Sequence, residues 1–157
     1  MKIIMTATRS DKDAATNDLN NVDLIQTFDR RFQITAQPVR GFWKGEAEPS
    51  YIMQTDNQYV LIEAFLIARQ YEQDAILLVK DDNRAVLVDC LTGKQTDIGD
   101  WQKVSPAVAQ QFDAYTVDSA GTHWVACTKA ERAVAERAAL GVMSLAEAET
   151  AAYAWAV

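Results

Sequence analysis

The sequence predicts one α+β domain of the ferredoxin-like type, a strand-helix-strand-strand-helix-strand core followed by further antiparallel strands. The first observation behind this prediction is that apolar, β-branched segments alternate with segments of helical spacing up to residue 80. The second is that turn signals follow residue 80 at short intervals. A chain of 157 residues, 49% of them hydrophobic, is long enough to bury a single core of this kind.

Two different spacings predict the first strand and the first helix. Residues 2–8 are β-branched and apolar, and they lead into a polar segment over residues 9–18 that starts a helix. Apolar residues then recur every three or four positions on one helical face: Leu19, Val22, Ile25, Phe28 and Phe32. A second strand is predicted over residues 33–42, where Pro38 restricts it to a sheet edge or a bulge.

The middle of the chain is predicted to hold a loop, a strand, a helix and a buried strand. Two glycines and a proline indicate a loop over residues 41–50, and a third strand follows over residues 51–55. Asp56 or Asn57 can cap a second helix. Its apolar positions keep helical spacing: Val60, Ala64, Ile67 or Ala68, and Tyr71. The continuous apolar run over residues 75–79 is typical of a strand that is covered on both faces.

Short strands separated by turns are predicted after residue 80. Turn signals occur at residues 82–83, 92–93 and 120–121. The strands between and beside them are expected over residues 85–90, 97–104, 114–118 and 122–127. We therefore expect the sheet to extend past the ferredoxin-like unit.

The alanine-rich end of the chain predicts a helical hairpin. Thr128 with Glu131, and Ser144 with Glu147, have the spacing of capping boxes, in which a hydroxyl and a carboxylate satisfy free backbone N–H groups. Gly141 lies between them as a helix stop. The tail is therefore expected to form two helices that pack on the sheet or on another subunit.

Composition and charge narrow the class of protein. We expect a core over residues 1–127 and a helical extension of the same domain over residues 128–157. The chain has 15 Lys and Arg residues and 22 Asp and Glu residues, which gives a net charge of −7. This charge disfavours nucleic acid as a partner and suits a small cationic ligand. No apolar run reaches the roughly 20 residues of a membrane span. The first apolar run of the sequence, within residues 1–5, is too short for a signal peptide. The prediction is a cytoplasmic protein that binds neither nucleic acid nor membrane.

Most common catalytic signatures are missing from the sequence. His123 is the only histidine, so a multi-histidine metal site is excluded, and we interpret this residue as structural. Cys90 and Cys127 form no C-x-x-C pair and are interpreted as small buried hydrophobic residues. No glycine-rich dinucleotide motif or P-loop occurs. We predict that the protein uses no metal and no cofactor.

The segment around residues 41–50 has the content of a ligand site. Trp43, Glu46, Glu48 and Tyr51 combine aromatic faces with carboxylates, a mixture suited to stacking a purine or holding a cation. Loop glutamates are usually solvated, however, and a tryptophan can simply cover a sheet edge. On residue content alone, the structural interpretation is favoured.

Three short motifs favour the functional interpretation instead. Residues 5–10 end the first strand in Arg-Ser, residues 68–80 place Tyr-Glu-Gln-Asp before an apolar strand, and residues 115–124 combine Tyr-Thr-Val-Asp with a glycine and a tryptophan. In these features the chain resembles the phage-encoded S-adenosylmethionine lyases, formerly called S-adenosylmethionine hydrolases. The resemblance covers about residues 4–125, in matching order, and leaves out the alanine-rich tail.

The resemblance implies a reaction, an assembly and a biological role. Members of that family split S-adenosylmethionine into 5′-methylthioadenosine and homoserine lactone, a reaction that needs no metal. Their subunits are ferredoxin-like and similar to PII proteins, and they form trimers with active sites between subunits. By resemblance, this chain is a homo-oligomeric lyase with an anti-restriction role in the host cytoplasm.

The resemblance also carries site residues over. It places the catalytic glutamate at Glu48, while Glu46 stays possible. Phe42 and Trp43 stand where the family has a functional tyrosine, so a hydroxyl role would fall to Tyr51 or Tyr59. The residues expected to bind substrate are Thr8, Arg9, Ser10, Trp43, Glu46, Ser50, Tyr51 and Gln73.

Each of these side chains has an expected role. Glu48 would hold the substrate ammonium, and the hydroxyls of Thr8, Ser10 or Ser50 would position the carboxylate and ribose. Arg9 would either bind the substrate carboxylate or pair with an acidic residue of the protein. Gln73 would either read adenine or end a helix.

Other functions stay open at this point. A PII-like sensor would bind an adenine nucleotide between subunits without turnover. A hydrolase would use Glu48 to activate water and release homoserine directly. Mimicry of DNA is disfavoured, because a net charge of −7 over 157 residues lacks a dense acidic stripe.

Overall fold

The computed structural model of the protein describes residues 1–141. Eight strands and four helices occur in this part of the chain. In order they are β1 (Lys2–Met5), α1 (Ala14–Phe32), β2 (Gln37–Trp43), β3 (Glu46–Gln54), α2 (Gln58–Gln70), β4 (Ala75–Val79), β5 (Arg84–Asp89), β6 (Gln95–Val104), α3 (Pro106–Ala109), β7 (Ala114–Val117), β8 (His123–Cys127) and α4 (Lys129–Gly141).

The strands form a closed antiparallel barrel in the order β1, β3, β2, β7, β8, β6, β5 and β4, with β4 returning to β1. The prediction of a ferredoxin-like, PII-similar sheet was therefore wrong. It failed because strands β5 to β8 connect β4 to β2, so both edge strands of the expected sheet have a second partner. Such closure leaves no unpaired strand edge.

The predicted elements are present as segments, with changed limits. The first strand ends at Met5 rather than at residue 8, and the second begins at Gln37 rather than at residue 33. The short helix α3 was not predicted, although Ser105 before Pro106 is a helix-start signal. Of the predicted C-terminal helical hairpin, α4 is observed, and the second helix lies outside the described residues.

The predicted loop over residues 41–50 was also wrong. β2 and β3 run through this segment and are joined by a two-residue turn, Lys44 and Gly45, with φ of 49° and 84°. Two consecutive positive φ values match the right-handed twist of the strands, which is why such turns favour hairpins. Of the glycine and proline signals that suggested a loop, Gly45 lies in this turn, whereas Gly41 and Pro49 lie inside the strands.

Pro38 shows how a proline fits into a barrel without an edge. β2 pairs with β3 along its whole length, but it pairs with β7 only from Arg40 to Trp43. Pro38 therefore lies before the segment of β2 that pairs with β7. At this position no strand on that side needs the N–H group that proline lacks. The predicted restriction of this residue to an edge-like position is confirmed in this local sense.

Three apolar clusters hold the barrel and its helices together. Helices α1 and α2 cover the outer face of β1, β3, β4 and β5, where Phe28, Leu24 and Ile3 are fully buried. A second cluster lies on the opposite face of these strands and includes Trp101, which is stacked on Trp124. The third lies under α3 and α4. No helix among residues 1–141 is long and apolar enough to cross a membrane.

β6 contains a bulge opposite β5. Ala85 is paired with Gly99 but Val86 with Asp97, so Ile98 is an extra residue in the ladder. Gly99 has a φ of 104°, and a Cβ atom at this position would lie 2.3 Å from the backbone carbon of Cys127. Only glycine allows β6 to pass so close to the end of β8.

We predict that Gly99→Ala destabilises the protein severely. A side chain at this position must displace backbone atoms and adopt a strained φ, so the free energy of unfolding should fall by about 3 kcal/mol or more. Urea unfolding followed by circular dichroism measures the loss. The control is Gly141→Ala in α4, where no neighbouring atom lies within 4 Å of the new Cβ. Equal stability of the two variants would contradict the interpretation.

Candidate active site

The hairpin of β2 and β3 decides which candidate side chains share a face. Gly41 is directly opposite Glu48, and Val39 is directly opposite Ser50. Residues opposite each other in an antiparallel pair, and residues two apart on one strand, point to the same face. Glu48 and Ser50 of β3 therefore point to the same face of the sheet as Gly41 of β2, and β2 separates them from β7.

This shared face is the inner face of the barrel. β7 places Thr116 directly opposite Gly41, and β8 places Trp124 directly opposite Thr116. Trp124 packs against the cluster of inward-facing residues around Trp101. One row across four strands thus consists of Glu48, Gly41, Thr116 and Trp124.

Glu48 is a half-buried carboxylate, and burial alone raises its pKa above the ordinary glutamate value. Within residues 1–141, no ion pair or side-chain hydrogen bond compensates the Glu48 charge. A buried charge without a partner is costly, and a cation brought by a ligand would remove that cost. Glu48 therefore has the physical properties of a cation-binding carboxylate.

Glu46 and Trp43 lie at the exposed tip of the same hairpin. Trp43 is 57% exposed, and the Lys44 ammonium lies 5.3 Å from the centre of its ring. Glu46 is opposite Trp43 and is solvent-exposed. Of the two glutamates that the sequence left open, only Glu48 is half-buried.

The two tyrosines considered for a hydroxyl role lie elsewhere. Tyr51 points to the opposite face from Glu48 and packs against the cluster under α1 and α2. Burial and the negative charge of Asp18 raise the pKa of Tyr51. Tyr59 is exposed in the first turn of α2, beyond the far end of β3. Neither hydroxyl shares the face of Glu48.

A polar network fixes the segment that follows β1. The Thr6 hydroxyl donates to the Pro49 carbonyl at 2.7 Å, which ties this segment to β3 beside Glu48. The buried side chain of Asn21 accepts from the Ala7 N–H at 3.0 Å and donates to the Thr8 hydroxyl at 2.8 Å. Thr8 and Glu48 are thereby held at the same end of the barrel.

Gln73 and Arg9 also take part in this network. The Gln73 amide donates to the Thr8 carbonyl at 3.0 Å. The Arg9 guanidinium donates to the Glu72 carbonyl at 2.6 Å, at the end of α2, and forms an ion pair with Asp11 at 2.7 Å. This contact lowers the pKa of Asp11. Both side chains thus have internal partners, as the alternative interpretations expected.

The structure divides the predicted site residues into two groups. Glu48 and Ser50 share the inner face, and the network joins Thr8, Arg9 and Gln73 at the same barrel end. Ser10 is exposed beside Arg9, while Tyr51 points away from Glu48. Sequence reasoning missed three residues that now border Glu48 or the network: Gly41, Thr116 and Asn21. A signal existed only for Gly41, because a glycine inside a strand often marks a close approach.

A cavity of about 530 Å³ opens on another part of the molecule. It lies beside α3 and the start of α4, and the predicted site residues are absent from its lining. Its basic side chains are Lys103, His123 and Arg132. Among residues 1–141, no three His, Cys, Asp or Glu side chains cluster as metal ligands would.

Comparison with known proteins gives one family. The model described as "S-Adenosylmethionine lyase family" matches residues 3–127. The match begins in β1 and ends with the last residue of β8, so it covers the whole barrel. No curated protein matches the chain.

We predict that Asn21→Ala loosens the segment after β1. The substitution leaves the buried Ala7 N–H without an acceptor, which should lower the free energy of unfolding by about 2 kcal/mol. Urea unfolding gives the stability, and hydrogen exchange at the Ala7 amide reports the local effect. Asn20→Ala, one residue earlier on α1, is the matched control. Unchanged exchange at Ala7 in Asn21→Ala would refute the assigned role.

Proposed function

Because the chain belongs to the S-adenosylmethionine lyase family, we propose that it converts S-adenosylmethionine into 5′-methylthioadenosine and homoserine lactone. The family makes the protein an enzyme, a lyase that acts on S-adenosylmethionine. The identity of the products is the part that we propose. The observation that carries it is the half-buried Glu48 carboxylate, which has no counter-ion within the part of the chain that the structure describes.

The proposed reaction uses groups that the substrate already contains. A carboxylate oxygen of the methionine part attacks the γ carbon, and a new carbon–oxygen bond closes the five-membered lactone. The bond between the γ carbon and sulfur breaks, and its electron pair stays on sulfur. The carboxylate and sulfonium charges disappear together, so the products are a neutral thioether and a lactone that keeps its ammonium group.

The protein's part in this reaction is to hold the substrate in a bent conformation. Oriented intramolecular reactions gain roughly 7–11 kcal/mol over their bimolecular counterparts. A half-buried site also favours a transition state in which opposite charges are being neutralised. Glu48 would bind the ammonium group and thereby fix the end of the chain that carries the attacking carboxylate.

The remaining predicted residues would act around this contact. The Ser50 hydroxyl lies on the Glu48 face, and the segment holding Thr8, Arg9 and Ser10 is tied to the same barrel end by Thr6. Trp43, exposed at the hairpin tip, offers a ring face for the adenine. Because the Gln73 amide already donates to a backbone carbonyl, we assign it to the scaffold rather than to adenine.

We also propose that the working form is a homo-oligomer, a trimer with sites between subunits. Several large apolar side chains support association because they are exposed on the described surface. They include Ile62 and Leu66 on α2, Leu19 on α1 and Trp43 at the hairpin tip. Residues 1–127 would carry catalysis, and residues 128–157 would form an extension.

The biological role that we propose follows from the substrate. S-adenosylmethionine is required by restriction and modification enzymes, so a lyase that removes it would disarm them. We propose that the protein comes from a phage and acts in this way in the host cytoplasm. The acidic net charge of −7 agrees with a small cationic substrate rather than nucleic acid as its target.

We predict that the purified protein produces homoserine lactone before homoserine. A reaction in ¹⁸O-labelled water, followed by mass spectrometry of the products, separates the two mechanisms even if the lactone later opens. Water that opens a lactone attacks its carbonyl carbon, so the label enters the homoserine carboxylate. Direct hydrolysis would instead place the label in the γ-hydroxyl group. A γ-hydroxyl label would establish the hydrolase, and intact S-adenosylmethionine would contradict the proposed function.

We predict that Glu48→Gln lowers kcat/KM by roughly 100-fold and that Glu46→Gln has a smaller effect, because only Glu48 is shielded from water. Wild-type kcat/KM should fall as the pH drops through the raised pKa of Glu48. This acid limb should be missing in Glu48→Gln. Steady-state kinetics over a pH series, monitored by 5′-methylthioadenosine release, measures both effects.

A stability measurement provides the internal control for that variant. A raised pKa in the folded state means that Glu48 stabilises the fold only while it is protonated, and this contribution is lost as the pH rises through that pKa. Glu48→Gln should therefore be more stable than the wild type at neutral pH and similar to it in acid. A larger loss of activity in Glu46→Gln would move the catalytic role to that residue.

A further inference from the structure

The backbone conformation at Gly41 does not require a glycine. The described glycines with positive φ are Gly45, Gly93, Gly99 and Gly121, and Gly41 is not among them. It lies inside β2, paired on both sides, where a glycine weakens a strand because it has no side chain to pack. The reason for glycine at this position must therefore be the space above it.

That space is bounded on one side by the β3 side chains. A Cβ atom at residue 41 would lie 2.8 Å from the Ser50 hydroxyl oxygen and 3.6 Å from Cγ of Glu48. Both side chains thus lean over the glycine. Any side chain at residue 41 would compete with the Ser50 hydroxyl for the same place.

Thr116 of β7 bounds the space on the other side. It is directly opposite Gly41 and is buried. Because neighbouring strands are about 4.8 Å apart, the backbones at Glu48 and Thr116 are separated by roughly 10 Å. The Gly41 notch, defined here as the space above Gly41, is therefore bordered by the side chains of Glu48, Ser50 and Thr116.

We propose that the Gly41 notch receives the α-ammonium group of the substrate, and that Gly41 and Thr116 determine specificity for it. This inference rests on the proposed function. An ammonium group has three N–H donors, and each of the three side chains that border the notch carries an oxygen that can accept a hydrogen bond. The sulfonium group has no N–H donor and would leave both hydroxyls unused. The adenine ring is too large for a space that a single missing side chain creates.

The experiment compares two substrates in the wild type and in Gly41→Ala. One is S-adenosylmethionine, and the other is its deamino analogue, in which hydrogen replaces the α-ammonium group. The new methyl group should displace the ammonium, so the KM for S-adenosylmethionine should rise by about 10- to 100-fold. kcat for S-adenosylmethionine should fall as well, because the ammonium contact also fixes the end of the chain that carries the attacking carboxylate. For the deamino analogue, the two proteins should have equal KM values.

Thr116→Val provides an independent test that adds no atoms to the notch. Loss of one hydroxyl acceptor should raise the KM for S-adenosylmethionine about tenfold and leave the KM for the analogue unchanged. Thr122→Val, just before β8 begins, is the matched control and should change neither value. Gly41→Ala is expected to fold, since the Ser50 hydroxyl can rotate away, and a melting curve checks this.

The possible results distinguish failure of the notch assignment from failure of the proposed function. A wild type that leaves S-adenosylmethionine intact would refute the proposed function itself. If the wild type cleaves it, an equal loss for both substrates in Gly41→Ala, or no loss for either, would overturn the notch assignment alone. An unfolded Gly41→Ala would leave Thr116→Val to decide, and an unchanged KM in that variant would overturn the assignment.

Discussion

The pairing of β2 with β7 is the interaction on which the rest of the molecule depends. Only Arg40–Trp43 and Ala114–Val117 take part, and about 70 residues separate the two strands along the chain. On the outer face the pairing is reinforced by Phe42 and Tyr115, whose rings are stacked at 4.5 Å. Without this contact, β2 would be a sheet edge with unsatisfied backbone groups. With it, Thr116 and Trp124 join Glu48 on one continuous inner face.

That inner face has an electrostatic cost built into it. Glu48 is half-buried on it without a counter-ion among residues 1–141, so its charge makes the fold less stable than a neutral side chain at this position would. The other shifted carboxylates behave in the opposite way. Arg84 lowers the pKa of Asp97, and the Trp124 N–H lowers that of Asp118. Those contacts stabilise the fold at neutral pH, whereas the ionised form of Glu48 destabilises it.

The sequence predicted most local elements because local signals determine them. The spacing of apolar residues predicts α1, the Asn57 cap marks the start of α2, and the apolar run predicts β4 at its observed limits. Closure of the barrel could not be predicted in this way, because the β2–β7 contact leaves no periodic mark in either strand. The same limit hid Thr116, whose importance depends entirely on its long-range neighbour Gly41.

The motifs that carried the resemblance turn out to be largely structural. Glu72 lies in the turn after α2 with a positive φ of 54°, and the Asp74 carbonyl accepts from the Cys90 N–H. In the closing motif, the Asp118 carboxylate accepts from Trp124 at 3.0 Å and from two backbone N–H groups of its own turn. Such residues identify the family because they build its barrel. They say less about which side chains touch the substrate. The motif residue Gln73, for which contact with adenine and a helix-ending role were both open, donates its side-chain amide to the Thr8 carbonyl.

The division between scaffold and site agrees with the chemistry of the substrate. In the reaction proposed above, S-adenosylmethionine supplies its own nucleophile and its own leaving group, so the protein would have to supply a shape and a charge more than a reactive side chain. Rigid elements hold groups in place more precisely than loops do. The candidate carboxylate lies on a paired strand of a closed barrel, and the segment beside it is fixed by Thr6 and Asn21. A fold with few catalytic signatures is therefore consistent with a reaction that depends chiefly on orientation.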